Sequence, residues 1–436
     1  MPLTRLLLAL GAVLLLVNAC TEEEDTPFSP YQPSPPIVVT PGNGDSESVS
    51  LDGGVVLSDG GTFAARPSCA GGSCAGACPD GGVICAGRCG FLAAVPYALP
   101  GSPRDIAAGD LNSDGAADLV TVNGVGNTAA VLINRKAGLF QTPTLLPAGT
   151  TPTSVLLADV TGDQKVDILA ANAGSLRVFR SKGDGTFPTA TSTSVGQSSD
   201  DMLLGSFGGS QRVVLVGGSS EKLLVLKSNG NGSFATPVSV EAPASSAALT
   251  AADFNGDGRL DLVLSHPPCS QTSDACQSVG VMLGNSDGTF QAQRFTPVDG
   301  SPHGLVAARL GVDPYMDLLV ADTNGNRVLV FSGQNDGSFL LTPTAYAAGN
   351  RPRQLVLVDL NGDGAEDLLA VNSGDSRVSL YMGQASGAFS PQVLLNAFPE
   401  GQGLQGMTVA DFDKDGAQDL AVLTESGIQL LWGTCG

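Results

Sequence analysis

The sequence predicts an all-β protein: a seven-bladed β-propeller of four-stranded blades, preceded by an export signal, a disordered tether and a small disulfide-rich segment. Three observations predict it. An aspartate-rich loop recurs along the chain, with starts separated by 49, 46, 48, 56, 50 and 52 residues. Each recurrence carries the same succession of short apolar runs and turn residues. No stretch shows a convincing helical period.

The N-terminus reads as an address. In "MPLTRLLLALGAVLLLVNAC" a single arginine precedes an apolar run from Leu6 to Val17. That run is too short to span a bilayer and suits a signal-peptide core. It closes in Val17-Asn18-Ala19-Cys20, which resembles a bacterial lipobox. The resemblance implies removal of residues 1–19 and lipidation of Cys20. Ordinary secretion with cleavage near Ala19 is the alternative. Either places the protein outside the cytoplasm; a lipid anchor places it on a bacterial membrane, at the outer membrane or cell surface. No other segment is long and apolar enough to cross a bilayer.

Residues 20–66 read as a tether. "TEEEDTPFSPYQPSPPIVVTPGNGDSES" is rich in proline, serine and acid, and such composition does not bury enough apolar surface to offset its ordering entropy. Residues 67–89 follow, with five cysteines in "CAGGSCAGACPDGGVICAGRCG". In an exported chain this pattern predicts disulfides. Zinc is the competing reading, disfavoured because no histidine lies nearby.

The composition limits partners. The 436 residues include 57 glycines and 27 prolines, only 14% are charged, and the formal charge is −21. Phosphates would be repelled, which excludes nucleic acid.

The remainder, residues 90–436, is repetitive. "DLNSDGAADL" starts at Asp110, "DVTGDQKVDI" at Asp159, "DFNGDGRLDL" at Asp253, "DLNGDGAEDL" at Asp359 and "DFDKDGAQDL" at Asp411. Two degenerate copies, "GSFGGSQRVVLV" from Gly205 and "RLGVDPYMDLLV" from Arg309, fill the gaps. An apolar run precedes each loop, as in "SVLLA" (154–158). Two more follow it, "DLVTV" (118–122) and "AAVLI" (129–133), then a Gly-x-Phe step as in "GDGTF" (183–187) and a last strand. Four short strands per unit describe a propeller blade. One blade leaves both sheet faces bare, so seven pack radially.

The acidic loop and the Gly-x-Phe step together resemble FG-GAP repeats, as in bacterial VCBS-type repeats and the integrin α-subunit propeller. The resemblance covers residue 90 to the C-terminus. It implies structural Ca²⁺ at about five sites. Calcium takes six to eight oxygen ligands in irregular geometry. The implied sets are Asp110, Asn112, Asp114 and Asp118; Asp253, Asn255, Asp257 and Asp261; Asp359, Asn361, Asp363 and Asp367; and Asp411, Asp413, Asp415 and Asp419. A weaker fifth is Asp159, Thr161, Asp163 and Asp167, with threonine at the third position and no glycine at the sixth. Arg309 puts a cation where the first ligand belongs, and the Gly205 copy has no acids. A lone loop of this kind would be a solvated Asx turn; five in register point to metal. Paired carboxylates can also act as acid and base, but five equivalent turns do not make one active site.

By the same resemblance, partners bind the face opposite the calcium loops. That face would carry loops such as "LPGSPR", "VDGSPHG" and "AAGNRPR", with Arg104, Arg351, Arg353, His266 and His303. It would also carry the insertion 265–278, stapled by Cys269 and Cys276. The favoured function is a membrane-anchored, calcium-stabilised adhesion or protein-interaction module, with a surface protein or glycan as ligand and no enzyme activity. A lectin-like propeller is the alternative, against which stands the paucity of aromatics: one Trp and five Tyr. A polysaccharide lyase is third, since two histidines are few for acid–base work.

The chain ends predict how the ring closes. "GIQLLWGTCG" ends on a third strand and "RCGFLAAVPYALPG" begins on a fourth. Residues 90–98 therefore complete the seventh blade beside 427–432. With Cys20 lipidated and Cys269 paired to Cys276, this arrangement sets Cys89 beside Cys435 as a disulfide, leaving Cys69, Cys74, Cys78 and Cys85 to pair among themselves in one of three ways.

Overall fold

The computed structural model describes residues 55–56, 62–63 and 91–434, except 93, 137, 217–221, 243–245, 270–274, 397, 399–400 and 402. Cys20, the cysteines of 67–89 and Cys435 lie outside the described residues, as does the expected Cys89–Cys435 bridge. No described helix is long and apolar enough to cross a membrane.

The described residues form seven four-stranded antiparallel sheets and one two-stranded ribbon, Val55–Val56 with Thr62–Phe63. In blade 1 the strands run Pro103–Gly109, Asp118–Asn123, Thr128–Leu132 and Thr144–Pro147, each hydrogen-bonded to the next. Six further blades repeat this meander. Their innermost strands are Ser154–Ala158, Asp201–Phe207, Ala248–Ala252, Pro302–Ala308, Pro352–Val358 and Leu404–Ala410. Each innermost strand touches that of the next blade, and the seventh touches the first, so the ring is closed.

Burial follows the grammar read in the sequence. The second strand is inaccessible along its whole length in six blades, for example Asp367–Asn372. It carries apolar residues on both faces because both face a neighbouring blade. The buried residues accordingly fall into seven clusters, one per blade interface. Between blades 4 and 5, Phe254 meets Phe339 edge-on with ring centroids 5.5 Å apart. Phe207 with Phe290 and Phe412 with Phe140 repeat that contact at two other interfaces. Here the phenylalanine of one blade's Gly-x-Phe step packs on an aromatic at the start of the preceding blade's loop, the second residue in the Asp253 and Asp411 copies and the third in the Gly205 copy. Such pairs add about 0.5–1.5 kcal/mol beyond area burial.

The ring closes as the chain ends imply. Val95–Ala98 pairs with Gly427–Leu431, Val95 opposite Leu430 and Ala98 opposite Gly427. An isolated bridge joins Phe91 to Gly433. Trp432 is wholly buried beside this seam. A Cβ at Gly138, where φ is +69°, would stand 2.0 Å from its ring. The sole tryptophan is therefore packing, not a sugar platform. Cys269 and Cys276 form a disulfide with Cα atoms 5.5 Å apart, closing the enlarged loop of blade 4.

Candidate functional site

Each acidic loop joins an innermost strand to the second strand, so all loops lie at one end of the ring. The first aspartate folds the loop by accepting backbone N–H groups. Asp253 Oδ1 accepts Asp257 N–H at 3.0 Å and Oδ2 accepts Gly258 N–H at 2.7 Å. Asp110, Asp359 and Asp411 take the fifth and sixth N–H groups in the same way. The fifth-position acid then accepts the seventh N–H, as Asp363 does from Ala365 at 2.8 Å. Glycine is needed at the sixth position because φ is +80° at Gly258 and +83° at Gly364. The Asp159 loop has Gln164 there, at φ +65°, a less favourable conformation for a side chain.

The ninth-position aspartate does a second job that the sequence reading missed. Its side chain is buried and both oxygens accept backbone N–H groups. Asp118 takes Leu111 N–H at 2.8 Å and Asn134 N–H at 2.7 Å. Asp167, Asp261, Asp367 and Asp419 make the equivalent pair. Asp317 does so too, from Leu310 at 3.0 Å and Gly333 at 2.9 Å, in the copy where Arg309 replaces the first acid. The ninth residue thus ties the loop to the end of the third strand whether or not the loop is built for metal. Survival of Asp317 in an otherwise degraded loop was the available signal. We expect Asp317→Ala to leave two N–H groups unsatisfied, at about 1–3 kcal/mol each. Chemical denaturation with and without calcium should show the same loss in both.

The donor sets fit a hard cation to different degrees. In the last loop, oxygens of Asp411, Asp413 and Asp419 lie within 4.8 Å of one another. Burial pushes the Asp419 carboxyl up to about 7, with the charges of Asp413 and Asp415 adding to it. A divalent cation would offset that repulsion. Three loops have asparagine at position three, whose amide donates to the fifth-position acid at 3.2, 2.8 and 3.0 Å. Burial likewise raises Asp118, to about 6. Arg259 pairs with Asp257, and Lys165 lies 3.7 Å from Asp163, placing cations beside two of the loops.

At the other end of the ring lie the connectors entering each innermost strand and the turns between second and third strands. Arg104, Arg351 and Arg353 are exposed there and His303 is half-buried. His303 lies on blade 5, Arg351 and Arg353 on blade 6 and Arg104 on blade 1, with blade 7 between the last two. A Cβ at Gly304 would meet the Arg353 carbonyl at 2.0 Å, and one at Gly406 would lie 4.0 Å from Asp105 Oδ1. His303 is held below the usual imidazole range by burial and by the arginines. His266 departs from the sequence expectation. It lies at this end but is wholly buried, its Nε2 2.6 Å from Gln293 Nε2 and its ring 5.7 Å from that of Phe295. The strand is covered on both faces at its last residue, so His266 presents nothing to a ligand.

Polar side chains below this rim bridge neighbouring innermost strands. Asp105 accepts Val155 N–H at 2.8 Å, Asp201 accepts Leu249 N–H at 3.1 Å, and Gln354 accepts Met407 N–H at 2.7 Å. Burial pushes the Asp201 carboxyl up to about 7 against those hydrogen bonds, helped by Asp105 and Asp200. Folded Asp201 therefore holds its proton more tightly than the unfolded chain does. Its contribution to stability is complete below pH ~4 and lost as pH rises towards 7, with a slope of at most ~1.4 kcal/mol per unit. Denaturation midpoints at pH 5 and 7.5 under constant calcium should differ in that sense, and Asp201→Asn should flatten the difference.

Seven sheets closed radially, with acidic turns at one end and the connectors and second-to-third-strand turns at the other, define a repeat propeller of the interaction type. The chain belongs to the FG-GAP-like repeat family, which matches residues 110–170, 159–205, 211–264, 312–370 and 359–422, together more than half of the chain. No curated protein matches it. Among solved structures it is similar to BBS1N in complex with ARL6DN, at 12% identity and TM-score 0.56 over 78% of this chain and 96% of that one. It is also similar to an Agrocybe aegerita lectin that recognises non-reducing terminal N-acetylglucosamine, at 19% identity and TM-score 0.50 over 68% of this chain and 81% of that one. At these identities the likeness shows the fold.

Proposed function

We propose that this protein is an exported interaction propeller, lipid-anchored through Cys20 to a bacterial membrane. Calcium in the five acidic loops stabilises it, and it binds a surface protein or glycan with the end opposite those loops. The observation that carries the reading is the division of labour between the two ends. The acidic loops spend their oxygens inward, on backbone N–H groups and, in our reading, on cations. The other end presents side chains that the fold does not consume: Arg104, Arg351 and Arg353 are exposed around the mouth of an acidic protein. Five bound Ca²⁺ would move the formal charge from −21 to −11, easing the approach of an anionic partner. The solved neighbours are consistent with either ligand class, one being a propeller held by a protein and the other a glycan-binding lectin. We read no catalytic role: the repeated carboxylates are equivalent turns, and His266 is enclosed.

Proximity cross-linking on intact cells tests the reading. Arg104→Glu with Arg353→Glu should lose the cross-linked partners, while Lys165→Glu with Lys414→Glu at the acidic-loop end should keep them. Cys20→Ser should release the protein from the membrane fraction. Partners retained by the mouth variant would refute the assignment of the face.

A further inference from the structure

Asparagine followed by glycine is a chemically labile pair, because a glycine nitrogen with no side chain beside it attacks the preceding side-chain amide with little hindrance. Aspartate before glycine reacts by the same route. Six Asn-Gly and eight Asp-Gly steps fall within the described residues. The attack requires the glycine N–H to give up its proton, so a hydrogen bond that this N–H donates has to break first. In thirteen of these fourteen steps the glycine N–H donates one. The glycines after Asn123, Asn229, Asn231, Asn324 and Asn361 are held in this way, at 2.8, 3.1, 3.2, 3.0 and 2.8 Å. The exception is Asn255-Gly256, in the acidic loop of blade 4, where the Gly256 N–H donates no hydrogen bond. Gly256 is exposed, and a Cβ there would meet nothing within 4 Å, so water and base reach its nitrogen freely.

Asn361 is a close internal control. Both asparagines stand third in a loop of the same pattern, and both side chains are anchored alike. Asn255 Nδ2 donates to Asp257 Oδ2 at 2.8 Å, and its Oδ1 accepts Asp257 N–H at 3.0 Å. Asn361 makes the same two contacts with Asp363, at 3.0 and 2.9 Å. In each, the N–H on Oδ1 sits on the oxygen where negative charge develops during attack. The two loops differ at the nucleophile. Asp359 Oδ1 accepts Gly362 N–H at 2.8 Å as well as Asp363 N–H at 3.2 Å. Asp253 Oδ1 accepts Asp257 N–H at 3.0 Å and leaves Gly256 out. A carboxylate held against a nitrogen disfavours loss of its proton, since the hydrogen bond goes with the proton and the new charges repel.

We propose that Asn255 is a site of spontaneous deamidation, which rewrites the Asp253 loop after the chain has folded. Hydroxide takes the Gly256 N–H proton and the nitrogen attacks Asn255 Cγ. The Cγ–Nδ2 bond breaks, ammonia leaves with a proton from solvent, and a five-membered succinimide remains. Water opens that ring. Cleavage of the new bond from Gly256 N to Cγ leaves aspartate; cleavage at the main-chain carbonyl leaves isoaspartate, with the backbone routed through the side chain. Aspartate at position 255 would give this loop the acid spacing that Asp411, Asp413 and Asp415 already have. Isoaspartate lengthens the backbone by one atom between Asp253 and the Asp257 and Gly258 N–H groups it accepts. Either product adds one negative charge and sets a carboxylate where Nδ2 now donates to Asp257. The inference needs no metal in the loop.

Peptide mapping by mass spectrometry tests it, on the purified full chain aged in mildly alkaline buffer with a chelator. Chromatography separates the aspartate and isoaspartate products. Asn255 should convert about tenfold or more faster than Asn361, the factor that one charge-assisted hydrogen bond imposes on a barrier. In the chain unfolded by urea the two should convert at similar rates, because the fold no longer protects Gly362. Gly256→Ser copies the Asn112-Ser113 step, where this fold already holds a serine at φ +61°. That variant should melt as the parent does and convert more slowly at position 255. Equal rates at Asn255 and Asn361 in the folded chain would overturn the proposal. So would an intact Asn255 after the unfolded chain has reacted, or a folded Gly256→Ser chain that converts as fast as the parent.

Discussion

Chelating calcium is expected to lower the melting temperature of the propeller by ~10 °C. Extracellular calcium modules bind with dissociation constants of roughly 10⁻⁴–10⁻³ M. At tenfold excess over that constant each site contributes about 1.4 kcal/mol, and five contribute about 7. That is comparable to the net stability of a whole domain. The loops are spread over five interfaces of one closed ring, so their contributions act on a single unfolding transition. The Asp411 loop should contribute most, since three of its carboxylates already converge. The Asp159 loop should contribute least, with a threonine hydroxyl at the third position bonded to both Asp159 and Asp163. Differential scanning calorimetry with a chelator, with calcium and with Asp411→Ala would show this order. An unchanged melting curve after chelation would remove calcium from the account.

Truncation through Ala98 should abolish cooperative folding. The deleted segment supplies the outer strand of blade 7, bonded along Val95–Ala98 and anchored by Leu92 N–H to the Trp432 carbonyl at 2.9 Å. Phe91 is buried between blades 6 and 7 and Val95 between blades 7 and 1. Emptying such positions costs about 2–5 kcal/mol each. The lost strand also bares the edge of Gly427–Leu431, a template for aggregation. The sum approaches the 5–15 kcal/mol that holds a domain together. Appending residues 90–98 after residue 434 should restore folding, because the strand then reaches the same edge from the other terminus. A truncated chain that melts cooperatively near the full-length temperature would show that closure is dispensable.

The repeat, the strand count per blade and the seam between the chain ends were legible in the sequence. They depend on local patterns: turn residues with fixed φ requirements, short β-branched runs, and a fourth strand present at one terminus and missing at the other. The acidic loops were legible for the same reason, since the spacing of their carboxylates is local to ten residues.

What tertiary structure alone decided is where a polar group spends its hydrogen bonds. Asp317 reads as a remnant of a failed metal loop, yet it clamps Leu310 and Gly333 in the manner of its five counterparts. His266 reads as a rim residue and is sealed by Gln293 and Phe295. Arg327 and Arg377 stand at equivalent places, and only the neighbour across the hairpin, Asp322 or Asn372, leaves one satisfied and the other available. The physical reason is range. Strand, turn and loop propensities act over a few residues and are written along the chain, whereas burial and hydrogen-bond satisfaction depend on partners that only the closed ring brings together.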